Sequence, residues 1–98
     1  MALKLSDCKA KLGEYHRTHG SLMGINRIGI FGSVAREENT DMSDIDIVVD
    51  LARPSLQVMA QIRQQLQTIF GCDIDLIRYR SSLRPRFKQS IDKEAIYV

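Results

Sequence analysis

Acidic residues alternate with aliphatic ones in the segment SDIDIVVD, which predicts a strand from Asp44 to Val49. Successive side chains of a β-strand point to opposite faces of the sheet, so Asp44 and Asp46 share one face. Ile45, Ile47 and Val49 share the other face, which must be the core. The segment therefore constrains the chain to a sheet that holds two neighbouring carboxylates on one face.

Two stretches have the apolar spacing of an amphipathic helix. The first begins at Leu5, with Ser6 as its predicted cap and Gly20 as its predicted stop, and its apolar positions are Leu5, Cys8, Leu12 and Tyr15. The second follows a proline, with Ser55 as cap and Gly71 as stop, and its apolar positions are Leu56, Met59, Ile62, Leu66 and Ile69. Serine caps free amide groups at a helix start, and glycine adopts the left-handed conformation that ends a helix.

Two other segments predict strands, and a polar tail follows them. RIGIF, from Arg27 to Phe31, is rich in β-formers, and CDIDLIRY, from Cys72 to Tyr79, repeats the alternation. The tail from Ser81 to Val98 is predicted to be a polar turn containing Pro85, followed by a short helix or an extended piece. The order helix, strand, strand, helix, strand, tail predicts an α+β (α/β-like) fold, a small mixed β-sheet of about three or four strands flanked by helices.

The length and the net charge of the chain limit the kinds of function that it can have. A chain of 98 residues with 44% hydrophobic content suits one compact domain over residues 1–98, without a separate substrate-binding domain. With 14 basic and 12 acidic residues the net charge is +2, which demands neither nucleic acid nor a membrane as partner. Neither a secretory signal nor a stretch of membrane-spanning length is evident, so we expect a cytoplasmic protein. Cys8 and Cys72 form no CxxC pair and are expected to be reduced, packed thiols.

A third carboxylate joins the first two if the predicted strands pair. Asp73 and Asp75 lie on the face of CDIDLIRY opposite its aliphatic residues, and the alternation does not distinguish between them. Two like charges about 4 Å apart repel by roughly 4 kcal/mol at an effective dielectric near 20. A divalent cation reverses that balance, and Mg²⁺ binds one or two carboxylates together with waters and substrate phosphates. The structural alternative is that Asp44 caps a strand end and Asp46 lies at a solvated edge.

A glycine and a serine follow the first predicted strand. Gly32 allows a sharp turn, and a helical turn after it would direct free amide groups and the Ser33 hydroxyl at an anion. Gly-Ser alone is common in turns and is a weak signal. The combination of GSVAR with SDID, eleven residues apart from Ser33 to Asp44, is a strong one.

This combination resembles the minimal nucleotidyltransferases, small relatives of the DNA polymerase beta superfamily. Their pattern is a Gly-Ser, then Asp-x-Asp, then a third acid on a later strand, and here it runs from about Arg27 to the end of the chain. The resemblance implies the polymerase beta-like palm fold of a nucleotidyltransferase. It also implies transfer of a nucleoside monophosphate from ATP to a hydroxyl, with release of pyrophosphate.

By position in that pattern, Gly32 and Ser33 would bind the phosphates of the nucleotide. The resemblance makes three acids both catalytic and metal-binding, with two Mg²⁺ ions as cofactors: Asp44, Asp46 and Asp75. The third is chosen over Asp73 on the family's pattern alone. Arg36 stands where relatives often carry an arginine that could hold phosphate oxygens. The alternative is that it is an exposed cation paired with Glu37 or Glu38.

Glu37 departs from the family's pattern, because relatives commonly have glycine at this position. A negative charge there would weaken nucleotide binding if it lies near the phosphates, and would have no effect if it faces solvent.

The resemblance extends to a partner. Free-standing minimal nucleotidyltransferases resemble the antitoxins of bacterial toxin-antitoxin pairs, whose partner is a helical HEPN-domain ribonuclease. The implied activity is transfer of AMP from ATP to a tyrosine hydroxyl of that toxin within a hetero-oligomer, with no direct nucleic-acid role and no membrane role. The alternative is a catalytically weak or inactive antitoxin that occludes the toxin as a binding module. Small-molecule nucleotidyl transfer is disfavoured by the length of the chain.

The remaining candidates carry weaker signals. His16 and His19 have helical spacing, but nothing nearby supplies further metal ligands, so solvated histidines are expected. The run RYRSSLRPRFK is the densest basic patch. Any one of its basic residues is better explained as solvated surface, whereas the cluster as a whole favours an anionic partner such as ATP, RNA or an acidic protein. Tyr79 and Phe87 in this run could stack a base, or could equally be packing residues.

Overall fold

The computed structural model describes residues 3–40 and 44–98. These residues form helices and strands in the following order: α1 (Leu5–Met23), β1 (Ile25–Phe31), α2 (Gly32–Ala35), β2 (Ile45–Leu51), α3 (Leu56–Phe70), β3 (Ile74–Arg78), α4 (Pro85–Glu94) and β4 (Ile96–Tyr97). The predicted α+β fold is confirmed, and the tail contains both a helix and a short strand.

The strands form a four-stranded mixed sheet in the order β3-β2-β1-β4. Strand β1 is antiparallel to both β2 and β4, whereas β2 and β3 are parallel. Gly29 of β1 lies against β4, and a Cβ at this position would be 2.8 Å from the carbonyl oxygen of Ile96. Glycine therefore allows β4 to close one edge of the sheet, while β3 forms the opposite edge.

The larger core lies between one face of the sheet and helices α1 and α3. Ile45, Ile47 and Val49 of β2 are fully buried in it, as the alternation predicts. Ile62 and Leu66 of α3 pack on the same face. This packing fixes which way β2 faces and directs its acids to the opposite side.

A second, smaller core lies on the acid-bearing face of the sheet. The alternation in β2 did not predict it. Phe31, Val48, Leu83 and Ile91 are buried together there, with Ile91 contributed by α4. Val48 follows Asp46 by two residues, so the face that begins with acids becomes apolar along the strand. The tail covers that apolar part, so Asp46 lies at one end of it and Asp50 at the other.

Several predicted boundaries were wrong, although the elements exist. Helix α1 is capped at Lys4 rather than Ser6, and it passes through Gly20, which is buried beneath His16, to end at Gly24 with φ 69°. Strand β1 begins at Ile25, two residues before the predicted start, because apolar packing continues that far. The predictions for α3 are confirmed, since the Ser55 hydroxyl accepts a hydrogen bond from the Val58 amide and Gly71 is left-handed.

Strand β2 begins at Ile45 and runs to Leu51, beyond the predicted Asp44 to Val49 range, because Leu51 still pairs with β1. Strand β3 is shorter than predicted and spans Ile74–Arg78.

The two cysteines are free thiols, as the sequence predicts. Cys8 is buried, Cys72 is half-buried, and both are free thiols. Burial raises the pKa of the Cys8 thiol, which keeps it protonated and unreactive. Across residues 3–40 and 44–98, no helix combines the length and the apolar content needed to cross a bilayer.

Candidate active site

Asp46 and Asp75 lie side by side on adjacent strands. They are direct partners in the parallel pairing of β2 with β3, and their carboxyl groups share a hydrogen bond. Asp46 is half-buried on the interior strand, whereas Asp75 is exposed on the edge strand. The register of two strands thus places carboxyl groups from distant parts of the sequence in contact.

The surroundings of Asp46 disfavour its negative charge. Burial is the main cause that raises the pKa of Asp46 to about 6, and the neighbouring charge of Asp75, their hydrogen bond and the charge of Asp44 raise it further. Arg36 opposes this shift. A buried carboxylate with acidic neighbours is costly unless a proton or a cation offsets the repulsion.

Of the two candidates for the third acid, Asp75 interacts with Asp46 and Asp73 does not. Asp75 interacts with Asp46 by charge and by hydrogen bond, whereas Asp73 is not among the groups that shift the pKa of Asp46. Asp73 lies just before β3, where its carbonyl oxygen accepts a hydrogen bond from the Ile45 amide, 3.3 Å away. The geometry therefore groups Asp75 with Asp46.

Asp44 is exposed immediately before β2 and lies near enough to raise the pKa of Asp46. Among residues 3–40 and 44–98, however, no three His, Cys, Asp or Glu side chains converge closely enough to hold a metal ion by themselves. The contact pair is Asp46 with Asp75, and Asp44 lies beside it.

The turn at Gly32 lies directly against this pair. Gly32 has φ +71°, and a Cβ there would collide with the carboxylate of Asp46, since the Asp46 Cγ would be only 2.9 Å away. Only glycine combines the left-handed conformation with so close an approach. Ser33 follows in the short turn α2 and is half-buried. The Gly-Ser turn therefore lies against Asp46, whose partner across the two strands is Asp75.

Arg36 is an ion-paired arginine at the end of α2. Its guanidinium lies 3.2 Å from Glu38 and 3.0 Å from Glu94 of α4, and 43% of its side chain is exposed. Pairing with Glu38 was one of the two alternatives from the sequence, whereas Glu94 was missed because no local pattern indicates that α4 returns to α2. To bind a phosphate, Arg36 would have to exchange these carboxylates for phosphate oxygens.

Glu37 has a left-handed backbone, with φ 58°, which explains why glycine suits this position. Its side chain is exposed and lines a cavity of about 450 Å³ beside Lys4, Lys9 and Asn39, near the start of α1. The departure from the family's pattern is thus a matter of backbone strain as well as of charge.

The histidines and Tyr79 have structural contacts. His16 is half-buried rather than solvated, and its Nδ1 lies 3.1 Å from the Val98 carbonyl oxygen. His19 stacks on Tyr15 with ring centroids 4.7 Å apart. The Tyr79 hydroxyl donates to Asp92 over 2.8 Å, and the cations of Arg27 and Lys88 cover its ring. Tyr79 is therefore a packing residue.

The donor set suits a hard cation. Carboxylate oxygens are the ligands that Mg²⁺ prefers, and it retains positions for water and substrate phosphate when only a few protein ligands are present. The pKa of Asp46 is raised despite the charge of Arg36, so Arg36 does not offset the burial of Asp46 and the charges of its acidic neighbours. A bound Mg²⁺ would supply further positive charge at the Asp46 and Asp75 pair, beside Asp44.

The chain matches known proteins along most of its length. Residues 11–98 match the family described as polymerase beta, nucleotidyltransferase. The chain belongs to this family. It is 36% identical over 95 residues to a protein of Methanocaldococcus jannaschii with the provisional name protein adenylyltransferase, covering 96% of this chain and 97% of the relative. It is 31% identical over 97 residues to the protein adenylyltransferase MntA of Thermococcus cleftensis, covering 98% and 97% respectively.

Solved structures share the fold. A structure described provisionally as a minimal nucleotidyltransferase superposes with a TM-score of 0.81 and 28% identity, covering 96% of this chain and 95% of that chain. A chain from the complex of a tri-AMPylated Shewanella oneidensis HEPN toxin with an MNT antitoxin gives a TM-score of 0.68 and 21% identity, covering 95% and 70%. The fold predicted from the Gly-Ser and Asp-x-Asp pattern is therefore confirmed.

The raised pKa of Asp46 predicts a pH-dependent cost to the metal-free protein. Because the folded-state pKa lies above the ordinary value, the contribution of Asp46 to stability is greatest below about pH 4 and is lost as the pH rises through about 6. Asp46→Asn removes this loss. In the presence of a chelator, the free energy of unfolding of the variant relative to wild type should therefore rise by about 1–2 kcal/mol from pH 4 to pH 8, with solvent screening taken into account. Urea unfolding at both pH values measures the gain. Asp50→Asn, on the same strand beside Arg27, is the control, and an equal gain there would contradict the assignment.

The backbone at Glu37 predicts a stabilising substitution. A non-glycine residue in the left-handed region costs about 1–2 kcal/mol, so Glu37→Gly should raise the free energy of unfolding by about 1 kcal/mol. Glu37→Gln removes the charge but keeps the strained backbone, and should leave stability nearly unchanged. Thermal unfolding of both variants separates the two effects. Equal changes in the two variants would show that charge rather than backbone conformation matters at this position.

Proposed function

We propose that this chain transfers AMP from ATP to a tyrosine hydroxyl of a HEPN-domain ribonuclease, and so acts as the antitoxin of a toxin-antitoxin pair in a hetero-oligomer. The observation that carries the proposal is the contact of three elements: Asp46 beside Asp75, with the Gly32 turn against Asp46. The relatives named protein adenylyltransferase and the shared fold with a chain from a HEPN toxin complex support it.

The residues have distinct roles in this proposal. Gly32 and Ser33 bind the triphosphate, and Arg36 adds a contact to phosphate oxygens after leaving Glu94. Asp44, Asp46 and Asp75 would hold Mg²⁺, two ions in this proposal. The bound metal would supply positive charge to the phosphates and to the transition state.

The reaction is a displacement at the α-phosphorus of ATP. The tyrosine oxygen forms a bond to that phosphorus, while the bond from the α-phosphorus to the oxygen bridging to the β-phosphorus breaks, and pyrophosphate leaves with the bonding electron pair. The hydroxyl proton passes to the carboxylate of Asp75 and then to water. Asp75 suits this role because it is exposed on the edge strand, where an acceptor can approach, whereas Asp46 is half-buried.

The product explains how the toxin is silenced. An AMP group adds bulk and a negative charge to the modified tyrosine, and negative charge repels the phosphates of RNA. We further propose that residues 1–98 act as one minimal nucleotidyltransferase domain and that it works in the cytoplasm, where ATP is available.

The alternative is a binding module that neutralises the toxin by occlusion. Such a module has no physical need for two acids whose charges raise the pKa of a half-buried Asp46 beside a glycine turn. The acid pair therefore favours the enzyme over a purely structural antitoxin.

Substitution of one acid at a time tests the proposal. Asp75→Asn should lower the rate of AMP transfer to the HEPN protein by at least about 100-fold, because it removes charge at the reacting centre. Asp73→Asn is the matched control, two residues away on the same side of the chain, and should keep near wild-type activity. Transfer is measured with α-labelled ATP, Mg²⁺ and the purified HEPN ribonuclease.

Two outcomes would contradict the proposal. One is absence of label on the ribonuclease with the wild-type chain, together with full neutralisation of the toxin by an Asp44→Ala/Asp46→Ala variant, which indicates occlusion. The other is loss of activity in Asp73→Asn but not in Asp75→Asn, which would reverse the assignment of the third acid.

A further inference from the structure

A groove runs along the free edge of the sheet beside the candidate site. Its volume is about 800 Å³, and it lies around β3 between the start of α3 and the segment that leads into α4. Its lining residues are Leu56, Met59, Leu76, Ile77, Arg78, Arg80, Ser82, Leu83, Arg84 and Phe87. Leu76 directly follows Asp75, so the groove begins next to the exposed acid of the pair.

Apolar side chains form the floor and both rims of this edge groove. Leu56 on α3 is 91% exposed and Phe87 on α4 is 37% exposed, and they stand on opposite sides of β3. Exposed leucine and phenylalanine side chains that flank one groove indicate contact with another molecule more strongly than scattered ones do. Leu76 and Ile77 supply apolar surface between them.

The described residues that line the edge groove carry charge of one sign. Arg78, Arg80 and Arg84 line it, and no acidic residue among residues 3–40 and 44–98 does. Arginine binds carboxylates in a fixed two-pronged geometry, so a carboxylate-bearing partner complements this lining. The groove therefore fits a ligand that combines apolar groups with negative charge.

The order of the strands assigns the edge groove to the acceptor side of the reaction. Gly32 at the end of β1, Asp46 on β2 and Asp75 on β3 follow one another across the sheet, because β2 lies between β1 and β3. In an in-line displacement the attacking oxygen and the leaving oxygen lie on opposite sides of the phosphorus. If the leaving pyrophosphate is held at the Gly32 turn, the attacking hydroxyl arrives from the side of β3.

Backbone contacts show how a partner would be held. Arg63 Nε donates to the Ile74 carbonyl oxygen over 3.2 Å, and Arg80 donates to the Arg78 carbonyl oxygen, also over 3.2 Å. Backbone groups of alternate residues in a strand point to opposite neighbours. Asp73 and Tyr79 form backbone hydrogen bonds to β2, so the carbonyl groups of Ile74 and Arg78 point to the free edge. Guanidinium groups that occupy edge carbonyls oppose the addition of a continuous strand. A partner would thus be held by side-chain contacts.

The aromatic residues argue for a protein rather than for RNA. Single-stranded nucleic acids bind through bases that stack on aromatic rings. Tyr79 is covered by two cations, and Phe87 already packs edge-on against Phe31 with ring centroids 6.1 Å apart. The remaining apolar lining is aliphatic, which suits protein side chains.

We propose that the edge groove binds an acidic segment with apolar anchors on the protein acceptor, and so positions that acceptor for attack from the β3 side. This inference rests on the proposed function and adds the surface that recognises the substrate. Apolar residues of the segment pack between Leu56 and Phe87, and its carboxylates pair with Arg80 and Arg84.

Fluorescence anisotropy with defined probes tests the docking site. The probes are a labelled peptide of about ten residues that alternates glutamate with leucine, the same peptide with lysine in place of glutamate, and a single-stranded RNA of equal length. The glutamate peptide should bind at least about tenfold more tightly than the lysine peptide, because opposite charges meet at the arginines. Arg80→Glu/Arg84→Glu should lose at least about tenfold in affinity for the glutamate peptide.

Arg53→Glu/Arg86→Glu is the matched control. It makes the same change in net charge at two exposed arginines outside the groove lining, and it should bind the glutamate peptide within about threefold of wild type. Leu56→Ala should weaken the same peptide without any change of charge. Circular dichroism of each variant establishes that it is folded.

Three outcomes would overturn the docking proposal: tighter binding of the RNA, equal binding of the two peptides, or equal losses in the two double variants. Binding of Mg²⁺ and ATP, measured by calorimetry on the same proteins, separates this inference from the proposed function. A wild-type chain that binds the glutamate peptide but neither Mg²⁺ nor ATP would contradict the enzyme and keep the docking site. The reverse result would contradict the docking site and keep the enzyme.

Discussion

The site depends on the pairing of β2 with β3 in one particular register. That register places Asp46 opposite Asp75 on one face and Ile45 opposite Ile74 on the other. Each buried aliphatic side chain contributes about 1.5–3 kcal/mol, so Ile45, Ile47 and Ile74 together outweigh a repulsion of roughly 4 kcal/mol between two close carboxylates. The hydrophobic face of the strands thus holds the acids together against their own charge.

A shift of one residue would exchange the two faces of β3, which would bury Asp75 and expose its aliphatic neighbours. The core therefore protects the geometry of the site without contacting it. The Gly32 turn adds a second constraint, because the Asp46 carboxylate occupies the space that a side chain at position 32 would need. One face of β2 and β3 consequently forms part of the core, and the other face carries the acids of the candidate site.

Local patterns predicted the elements, and long-range contacts decided what the patterns left open. Alternation in SDIDIVVD predicted that Asp44 and Asp46 share one face of the sheet. The backbone freedom of glycine and the hydroxyl of serine predicted the Gly-Ser turn. The position of Asp75, rather than Asp73, beside Asp46 depends on the register of two strands distant in sequence, which no single segment encodes. The pairing of Arg36 with Glu94 and the second core beneath α4 likewise depend on how the tail returns to the sheet.

The central claim is that Asp46 and Asp75 form a cation site beside the Gly32 turn. Anomalous diffraction from crystals grown with Mn²⁺ and a non-hydrolysable ATP analogue tests it most directly. We expect a Mn²⁺ peak within about 2.5 Å of carboxylate oxygens of both Asp46 and Asp75, with the triphosphate against Gly32 and Ser33. A peak coordinated by Asp73 instead, or a triphosphate bound away from the Gly32 turn, would contradict the account.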